Sequence, residues 1–554
     1  MSVFTRISQF ALFLALSEPA YGILLPVNPF VPVGNPKSGI QQLQIAAAEY
    51  ESIKDKNELT IPGFVRGSGA TIDLALQRMN PFAPDAKVVA ATFNGEHEIG
   101  LPDIQFFSGA VIGDPSSRVF LALSPHGTSG SITAFGETSI ISSGPGGRMQ
   151  TVIYETSSSA AHSINFDSPL CRGGLTPPGQ VPQEPVGEIS LPQSSVCRNY
   201  RLALDCDSEF TANLFGGNQT NATAYAATMV AGMTAIYQRD VNVSFQIGYL
   251  RLWIDPDPYT MAGAGDQLGE FRDYWVNNMG AVSRTMAHLL SGRGLGGGVA
   301  WVSQVCAAYS YATSANLGGY FPYPLVNNSH QNWDIMVFAH ETGHNMGSGH
   351  THDINSYNPI IDGCGNGDCT NAFQGTIMSY CHGCAGGMSN IRTELGPRVS
   401  AAIRSYLDSQ PLCGTSPIII FNSQPRNRTV CRNGSVTFNV VVSGTPPLTY
   451  QWKLNGVNIP GATSSSFTES QANSLTAGSY VCAVSSTCRT VDSNPGILTV
   501  CGANFNCDLL VDFFDYLDFV DAFSSLDPTA DFNDDSTIDF FDYLDFVDAY
   551  SVGC

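Results

Sequence analysis

The chain has 554 residues, too many for one hydrophobic core, so we expect about three to five folded units. A hydrophobic content of 43% is that of a globular protein, and no run of residues beyond the N-terminus is apolar for long enough to form a transmembrane segment. The formal net charge of -22 argues against nucleic acid as a partner.

The first 22 residues have the pattern of a secretory signal peptide. Arg6 precedes an apolar stretch from Phe10 to Leu16, and small residues around Gly22 form a site where a signal peptidase would cut. A buried N-terminal helix is the alternative. Export predicts a secreted, extracellular protein, or one associated with the cell surface, in which disulfides persist. The cysteine count is 15, so at least one thiol is left over or pairs with another molecule.

Residues 23–195 are predicted to form a β-rich region followed by a linker. Short apolar runs lie between Gly, Pro, Ser and Asn turns as far as Phe166, which is the pattern of short strands. From Cys171 to Ser195 the chain is dense in Pro and Gly. This composition is typical of a linker and of a segment open to proteolytic cleavage.

Residues 196–415 are predicted to mix strands with helices. The apolar spacing predicts strands at 200–204 and 299–302, and helices at 224–237, 271–290 and 334–345.

The pattern H-E-x-x-H-x-x-G-x-x-H begins at His340. His344 lies four residues later, so on a helix both imidazoles project from one face and can bind one ion. Gly347 can adopt a positive φ, which turns the chain and brings in His350 as the third zinc ligand. Glu341 can accept a proton from the attacking water and pass it to the leaving amine. An amphipathic helix with two surface histidines is the alternative, but it does not account for the additional Gly and His.

With the segment Thr376-Ile377-Met378-Ser379-Tyr380, this motif resembles the metzincin zinc peptidases. The resemblance implies a mixed α/β catalytic domain with an active-site helix, and it places Met378 in a methionine turn beneath the zinc. In the astacin and serralysin branches a Tyr two residues after that Met approaches the zinc. Tyr380 would by this resemblance stabilise the oxyanion; an ordinary half-buried Tyr is the alternative.

Other residues resemble the adamalysin, or reprolysin, branch. Residues 298–302 with Cys306 resemble the edge strand along which the substrate lies extended, and Cys306 would by analogy pair with Cys413. Adamalysins have an Asp directly after the third His, whereas two residues precede Asp353 here. One of them, His352, is a competing ligand that does not fit the spacing of the motif. The branch therefore stays open.

Residues 107–114 and 130–132 resemble an adamalysin propeptide. In that family a propeptide cysteine can occupy the fourth zinc position and keep the enzyme latent. Cys171, just before the linker, would be such a cysteine switch and the odd thiol; a disulfide at Cys171 is the alternative.

Residues 416–500 have the alternation of β-strands. A central Trp452, and Tyr480 two residues before Cys482, resemble the immunoglobulin-like β-sandwich with its tyrosine corner. The strand that faces Cys482 has no cysteine, and the nearest one is Cys431 just before it. The usual inter-sheet disulfide is therefore in question.

The tail, residues 501–554, contains two copies of one acidic repeat and no Lys, Arg or Glu. Oxygen ligands stand at positions 1, 3, 5, 9 and 12 of a calcium loop in each copy, and the usual Gly at position 6 is missing. The candidate calcium ligands are Asn504, Asn506, Asp508, Asp512 and Asp515 in the first copy, and Asp531, Asn533, Asp535, Asp539 and Asp542 in the second. A duplicated loop of this kind resembles a dockerin, a small α-helical module that docks onto a cohesin partner. A disordered acidic tail is the alternative, although regular apolar residues predict a helix behind each loop.

The sequence thus predicts a multidomain protein with a β-rich propeptide, a zinc peptidase domain, an immunoglobulin-like unit and a calcium-binding tail. The predicted function is that of a secreted endopeptidase, made as a latent precursor, that cleaves proteins with metal-activated water. A catalytically silent adhesion or docking protein that retains a zinc-stabilised fold is one rival, against which Glu341 argues. A metallohydrolase acting on a glycan is the other, and no sugar-binding module is evident.

Overall fold

A computed structural model describes residues 27–37, 39–54, 56–125, 127–157, 175, 197–321, 333–410, 413–414, 419–444, 448–486, 490–508, 510–533 and 535–554. The predicted signal peptide and Cys171 lie outside the described residues, as does the linker except for Leu175. Within the described ranges, no helix combines the length and the apolar character needed to cross a membrane.

The N-terminal region, residues 27–157, is β-rich, as its short apolar runs predict. Its strands are β1 (Phe30–Lys37), β2 (Ile40–Ile45), β3 (Glu58–Val65), β4 (Thr71–Met79), β5 (Phe82–Thr92), β6 (Gly95–Glu98), β7 (Gln105–Val111), β8 (Asp114–Leu123), β9 (Ser129–Ala134), β10 (Glu137–Ser142) and β11 (Val152–Glu155), and helix α1 spans Ala47–Ile53. Nine of these strands form an antiparallel sheet in the order β1-β2-β11-β10-β9-β8-β7-β4-β3. Strands β5 and β6 belong to a different sheet.

The central unit, residues 197–414, combines parallel strands with helices. Its strands are β12 (Arg198–Cys206), β13 (Val243–Trp253), β14 (Met286–Leu290), β15 (Val299–Ala300) and β16 (Tyr311–Ser314), and its helices are α2 (Gln219–Val241), α3 (Ala264–Asn278), α4 (Trp333–Asn345) and α5 (Pro397–Asp408). Short 3-10 or π turns of the central unit lie at Phe210–Leu214, Cys364–Asn366, Ala372–Gln374, Cys381–Gly383 and Gly387–Asn390. Two further 3-10 turns lie outside it, at Pro145–Gly147 in the N-terminal region and at Pro528–Ala530 in the tail.

Most of the predicted elements of the central unit are confirmed, with one error. The strand at 200–204 and the helices at 224–237 and 334–345 are present. The second half of the helix predicted at 271–290 is wrong, because Met286–Leu290 is a strand that is buried at all of its positions. A parallel strand covered on both faces is apolar throughout, and over a short run this pattern cannot be distinguished from a buried helix.

The sheet of the central unit has the order β15-β16-β14-β12-β13-β5-β6. Strand β15 runs antiparallel along one edge, and two strands of the N-terminal region form the other edge. Helices α2 and α4 pack on one face of this sheet, and helix α3 packs on the other. Helix α4 consequently lies directly behind the edge that β15 forms.

The C-terminal β unit, residues 419–501, contains three small sheets around one core. Its strands are β17 (Ile419–Ser423), β18 (Arg428–Cys431), β19 (Val436–Asn439), β20 (Val441–Gly444), β21 (Thr449–Leu454), β22 (Val457–Asn458), β23 (Ser466–Glu469), β24 (Gly478–Ser485), β25 (Thr490–Asp492) and β26 (Gly496–Cys501). Trp452 and Tyr480 are fully buried, and the Tyr480 hydroxyl donates a hydrogen bond to the Thr476 carbonyl at 2.7 Å. Cys482 is a buried free thiol, and Cys431 forms a disulfide with Cys507 of the tail.

The tail forms two helices, α6 (Phe513–Ser524) and α7 (Phe540–Val552), one behind each acidic loop. Phe519 and Phe546 stack with their ring centroids 4.0 Å apart. The hydroxyls of Tyr516 and Tyr543, which occupy equivalent positions in the repeat, lie 3.1 Å apart. The regular apolar residues of each copy therefore pair the two helices.

Candidate metal centre

Three histidine side chains of the motif converge on one point. The Nε2 atom of His350 lies 3.1 Å from Nε2 of His344 and 3.1 Å from Nε2 of His340. Of the groups in the described residues that could hold a metal ion, this one consists of histidines alone. Helix α4 is buried at every position, which excludes the alternative of two surface histidines.

The hydrogen bonds of two of these rings aim their lone pairs at the shared point. The Nδ1 atom of His340 lies 2.7 Å from the Ile377 carbonyl, and Nδ1 of His344 lies 2.7 Å from the Ser348 carbonyl. A carbonyl only accepts, so each Nδ1 carries the proton and each Nε2 is left as a bare acceptor. Two lone pairs directed at one point are the arrangement in which neutral imidazoles bind a metal ion. Zn–N bonds of about 2.0–2.1 Å place tetrahedral ligands roughly 3.3 Å apart, close to the separation observed here.

Burial keeps these histidines in the neutral form that binds a metal. It lowers the pKa of His344 from 6.5 to about 4. Burial, reinforced by the neighbouring His344, holds the pKa of His340 and of His350 well below the ordinary value. Three neutral imidazoles at neutral pH fit a zinc ion and leave room for further ligands.

A tight turn after helix α4 brings His350 back to the other two histidines. Gly347 has a φ of 99°, and a Cβ atom there would lie 2.6 Å from Cβ of Tyr406. The Ser348 amide donates to the Gly343 carbonyl at 2.9 Å, which closes the turn. Glycine is therefore required at position 347 both by the backbone conformation and by the close approach of helix α5.

Met378 packs beneath the helix, beside the histidines. A Cβ atom on Gly343 would lie 2.5 Å from the Met378 sulfur, so the glycine makes room for this side chain. The Met378 carbonyl accepts hydrogen bonds from the amide and hydroxyl of Thr351, at 3.3 and 3.2 Å. The turn thus contacts the histidine helix and the segment that carries His350.

Glu341 is fully buried on the side of helix α4 that faces the edge strand. A Cβ atom on Gly298 would lie 2.6 Å from Cγ of Glu341 and 2.7 Å from its Cδ. The Ser303 amide donates to the His344 carbonyl at 2.8 Å, and the Asn345 side chain donates to the Trp301 carbonyl at 3.0 Å. The carboxylate is therefore held between the histidines and the edge strand.

Tyr380 lies in a group of aromatic rings at the metal centre. Its ring centroid is 4.5 Å from that of His350, 4.6 Å from that of His352 and 5.9 Å from that of His382. His352 lies nearly parallel to His350 at 5.2 Å but does not belong to the converging group. Asp353 accepts from the Asn355 amide at 2.9 Å and shapes the local turn. The sequence offered no signal for the place of His382 in this group.

Disulfides secure the segments around the site. Cys306 pairs with Cys413, which confirms the pairing expected from the adamalysin resemblance. Two more disulfides, Cys364–Cys381 and Cys369–Cys384, flank the turn that contains Met378, and the sequence did not predict them.

Leu175 extends the sheet beyond the edge strand. Its amide donates to the Ala300 carbonyl at 2.7 Å, and its carbonyl accepts from the Val302 amide at 2.8 Å. This parallel bridge to Trp301 joins the segment before the central unit to the edge beside Glu341.

The candidate calcium ligands of the tail lie in two loops, each of which enters its helix through the same type of cap. Asp515 and Asp542 are fully buried, and each forms a capping box at the start of its helix, with Asp512 and Asp539 respectively. Ser536 has a φ of 66°, so it adopts the conformation that glycine usually provides at position 6. Acidic groups of the described tail residues do not form a cluster tight enough to count as a metal site in the absence of an ion.

Comparison with known families agrees with the geometry of the metal centre. Residues 196–392 match a reprolysin model, described as metallo-peptidase family M12. The match includes the three histidines, Glu341, Met378 and Tyr380 and supports a metzincin-like zinc peptidase domain in this part of the chain. No curated protein matches the chain.

Solved structures with immunoglobulin domains match a short part of the chain. "Sidekick-1 immunoglobulin domains 1-5" is 18% identical over 15% of this chain and 18% of that one, with a TM-score of 0.14. "Tandem Ig repeats of Dlar" is 15% identical over 16% of this chain and 49% of that one, with a TM-score of 0.15. "I-band fragment I67-I69 from titin" is 24% identical over 16% of this chain and 33% of that one, with a TM-score of 0.14. The chain spans less than half the length of these structures, and TM-scores this low assign no fold.

We expect the folded protein to keep its zinc as the pH falls from 6.5 and to release it only near about 4, where His344 takes up a proton. Burial depresses the histidine pKa values in the folded protein, so the unfolded chain takes up protons in this window while the folded chain does not. The metal-free protein should therefore lose stability as the pH falls. Zinc retained after dialysis, and urea unfolding of the metal-free protein, would both be measured across this range.

His344→Gln should reduce zinc binding at neutral pH by more than about 100-fold, because loss of even an outer-shell partner costs about 10- to 100-fold. His97→Gln is the matched control, since His97 is exposed on β6. Stoichiometric zinc in the His344→Gln protein would contradict the assignment.

Proposed function

We propose that the central unit is an active zinc endopeptidase that hydrolyses peptide bonds in proteins. The observation that carries this proposal is the convergence of three neutral imidazoles, in which Nε2 of His350 lies 3.1 Å from Nε2 of each of the other two, next to a buried carboxylate and a sheet edge. His340, His344 and His350 would hold the zinc. A purely structural site would need no base and would close its fourth position.

In this proposal zinc, when bound, supplies a Lewis acid that polarises the scissile carbonyl and lowers the pKa of water. Glu341 takes the proton from the attacking water and delivers it to the leaving amine. The Tyr380 hydroxyl donates a hydrogen bond to the oxyanion that develops on the substrate. Met378 is a positioning residue, because it packs against the helix between the two histidines.

The substrate would lie extended along β15, where its backbone continues the sheet. The two backbone hydrogen bonds of Leu175 support this placement, since they use the same edge. They also support a latent precursor, because a chain segment at that edge competes with the substrate. The cysteine switch at Cys171 remains a proposal, and secretion is the setting that the N-terminal sequence and the disulfides favour.

A peptide library tests the proposed function. The zinc-loaded protein, cut within residues 158–196, should cleave peptides, and the uncut protein should cleave them more slowly. Binding to a surface partner without cleavage would favour a silent adhesion protein. Hydrolysis of glycans alone would favour a metallohydrolase that acts on glycans.

Tyr380→Phe should lower kcat by about 10- to 100-fold and leave KM nearly unchanged, because the lost hydrogen bond acts mainly in the transition state. Tyr274→Phe is the control, since Tyr274 lies on helix α3, on the opposite face of the sheet. Steady-state kinetics on one peptide would measure kcat and KM separately. A rise in KM alone would instead assign Tyr380 to substrate binding.

We also propose that residues 416–500 form an immunoglobulin-like sandwich and that the tail is a dockerin-like calcium module. The buried Trp452 and the hydrogen bond from Tyr480 to Thr476 support the first assignment. The paired helices behind two acidic loops support the second. Such a tail would attach the peptidase to a cohesin-like or cell-surface partner.

Asp535→Asn should weaken calcium binding by the second loop by at least about tenfold, because loop affinity follows the number of charged ligands. Asp545→Asn removes the same charge from the exposed face of helix α7 and should leave binding unchanged. Calorimetric titration of the full chain with calcium would compare the two proteins. Equal affinities would contradict the calcium assignment.

A further inference from the structure

The N-terminal region contributes two strands to the sheet of the peptidase domain. Strand β5 pairs in parallel with β13, from Phe82 opposite Ile247 to Ala91 opposite Trp253. Strand β6 then pairs antiparallel with β5 and forms the outer edge. This edge is the opposite one from β15, where Leu175 binds.

Strand β13 depends on β5 for its burial. It is buried at every position, like an interior strand and unlike an exposed edge. Val88 of β5 belongs to the core on one face of the sheet, and Val89 and Ala91 belong to the core on the other face. Without β5, the long strand β13 would be an unpaired edge strand with its side chains exposed, which folded proteins avoid.

Polar groups join the same strands. The Arg251 side chain on β13, which is 1% exposed, lies 3.2 Å from a Glu96 oxygen on β6. The Tyr249 hydroxyl donates to the other Glu96 oxygen at 2.7 Å. Arg201 on β12 donates to both oxygens of Asp85 on β5, at 2.7 and 3.1 Å. These pairs fix the register of the hairpin that β5 and β6 form against strands β12 and β13.

The nine-stranded sheet makes a second contact with the peptidase domain. Phe106 and Phe120 share one core with Met229 and Met233 of helix α2. The Phe120 ring also stacks on Phe321, with centroids 6.2 Å apart. The region is thus joined to the peptidase domain through core packing as well as through the sheet.

We propose that residues 27–157 are a permanent, strand-donating subunit of the peptidase domain, which stays bound after the chain is cut. Cleavage between residues 158 and 196 would leave β5 and β6 in place, independently of the Leu175 segment at the opposite edge. The activated protein would then be a non-covalent pair of chains. Because association is measured directly, this inference does not depend on peptidase activity.

The test uses the full chain with an engineered protease site between residues 158 and 170. Because no cysteine precedes Cys171, the N-terminal fragment has no disulfide to the rest of the chain after this cut. The two fragments should co-elute in size-exclusion chromatography at the volume of the uncut protein and separate only in denaturant. Separate elution in native buffer, or loss of the N-terminal fragment from an affinity-tagged C-terminal fragment, would overturn the proposal.

A matched pair of variants tests the role of the hairpin. In the cut protein, Asp85→Asn with Glu96→Gln should raise the dissociation constant of the fragments roughly three- to tenfold in sub-denaturing urea. Glu98→Gln, at an exposed position of β6, should leave it unchanged. Co-elution with equal dissociation constants for both variants would overturn strand donation, because the core packing alone would then hold the fragments together.

Discussion

Glu341→Gln should lower kcat/KM for peptide cleavage by about 10³-fold without loss of zinc, because general-base catalysis contributes about 10²- to 10⁴-fold. The amide has the shape of the carboxylate but cannot take up the proton of the attacking water. The side chain is fully buried beside Gly298, next to the edge strand. The three histidines are unchanged, so zinc affinity should remain that of the wild type.

Two measurements on each protein make this result decisive. Zinc content establishes that the centre is loaded, and single-turnover cleavage of one peptide reports the chemical step. Glu98→Gln is the control, because Glu98 is exposed on β6. Activity within about threefold of the wild type, with zinc retained, would exclude Glu341 as the base and revive a silent or non-peptidase role.

The metal centre could be predicted from the sequence because its parts are close together in the chain. Two histidines four residues apart share a helix face by geometry alone, and the glycine that returns the chain follows within one turn. The aromatic group around Tyr380 was not predictable in this way. His382 reaches it through a turn held by two disulfides, and cysteine pairing is not determined by the order of cysteines in a sequence.

The fold was predictable at the level of elements, and much less so at the level of sheets. A run such as Phe82–Thr92 indicates a strand, but its pattern does not say which strand it pairs with. Its partner, Val243–Trp253, lies far along the chain, and parallel pairing leaves no turn signal between the two. For the same reason, the composition of residues 23–195 predicted a separate β-rich region and gave no sign that it shares a sheet with the peptidase domain.

Gly298→Ala should lower kcat by about 100-fold with zinc retained, because a displacement of a reacting group by about 1 Å can cost that much. The new methyl carbon would lie 2.6 Å from Cγ of Glu341 and 2.7 Å from its Cδ, so the carboxylate has to move. The backbone at this position does not require glycine, since its φ is not in the left-handed region. The effect should therefore arise from the base and not from strain in the edge strand.

Two comparisons separate displacement of Glu341 from general damage to the fold. Gly294→Ala, in the same loop, places its methyl no closer than 3.8 Å to the nearest atom and should keep wild-type activity. The double variant Gly298→Ala/Glu341→Gln should be no less active than Glu341→Gln alone, because both changes act through one carboxylate. Additive losses would mean that Gly298 affects activity by another route, such as the seating of substrate on β15. Non-additivity, with zinc bound in every variant, would place the base and the edge strand in a single catalytic unit.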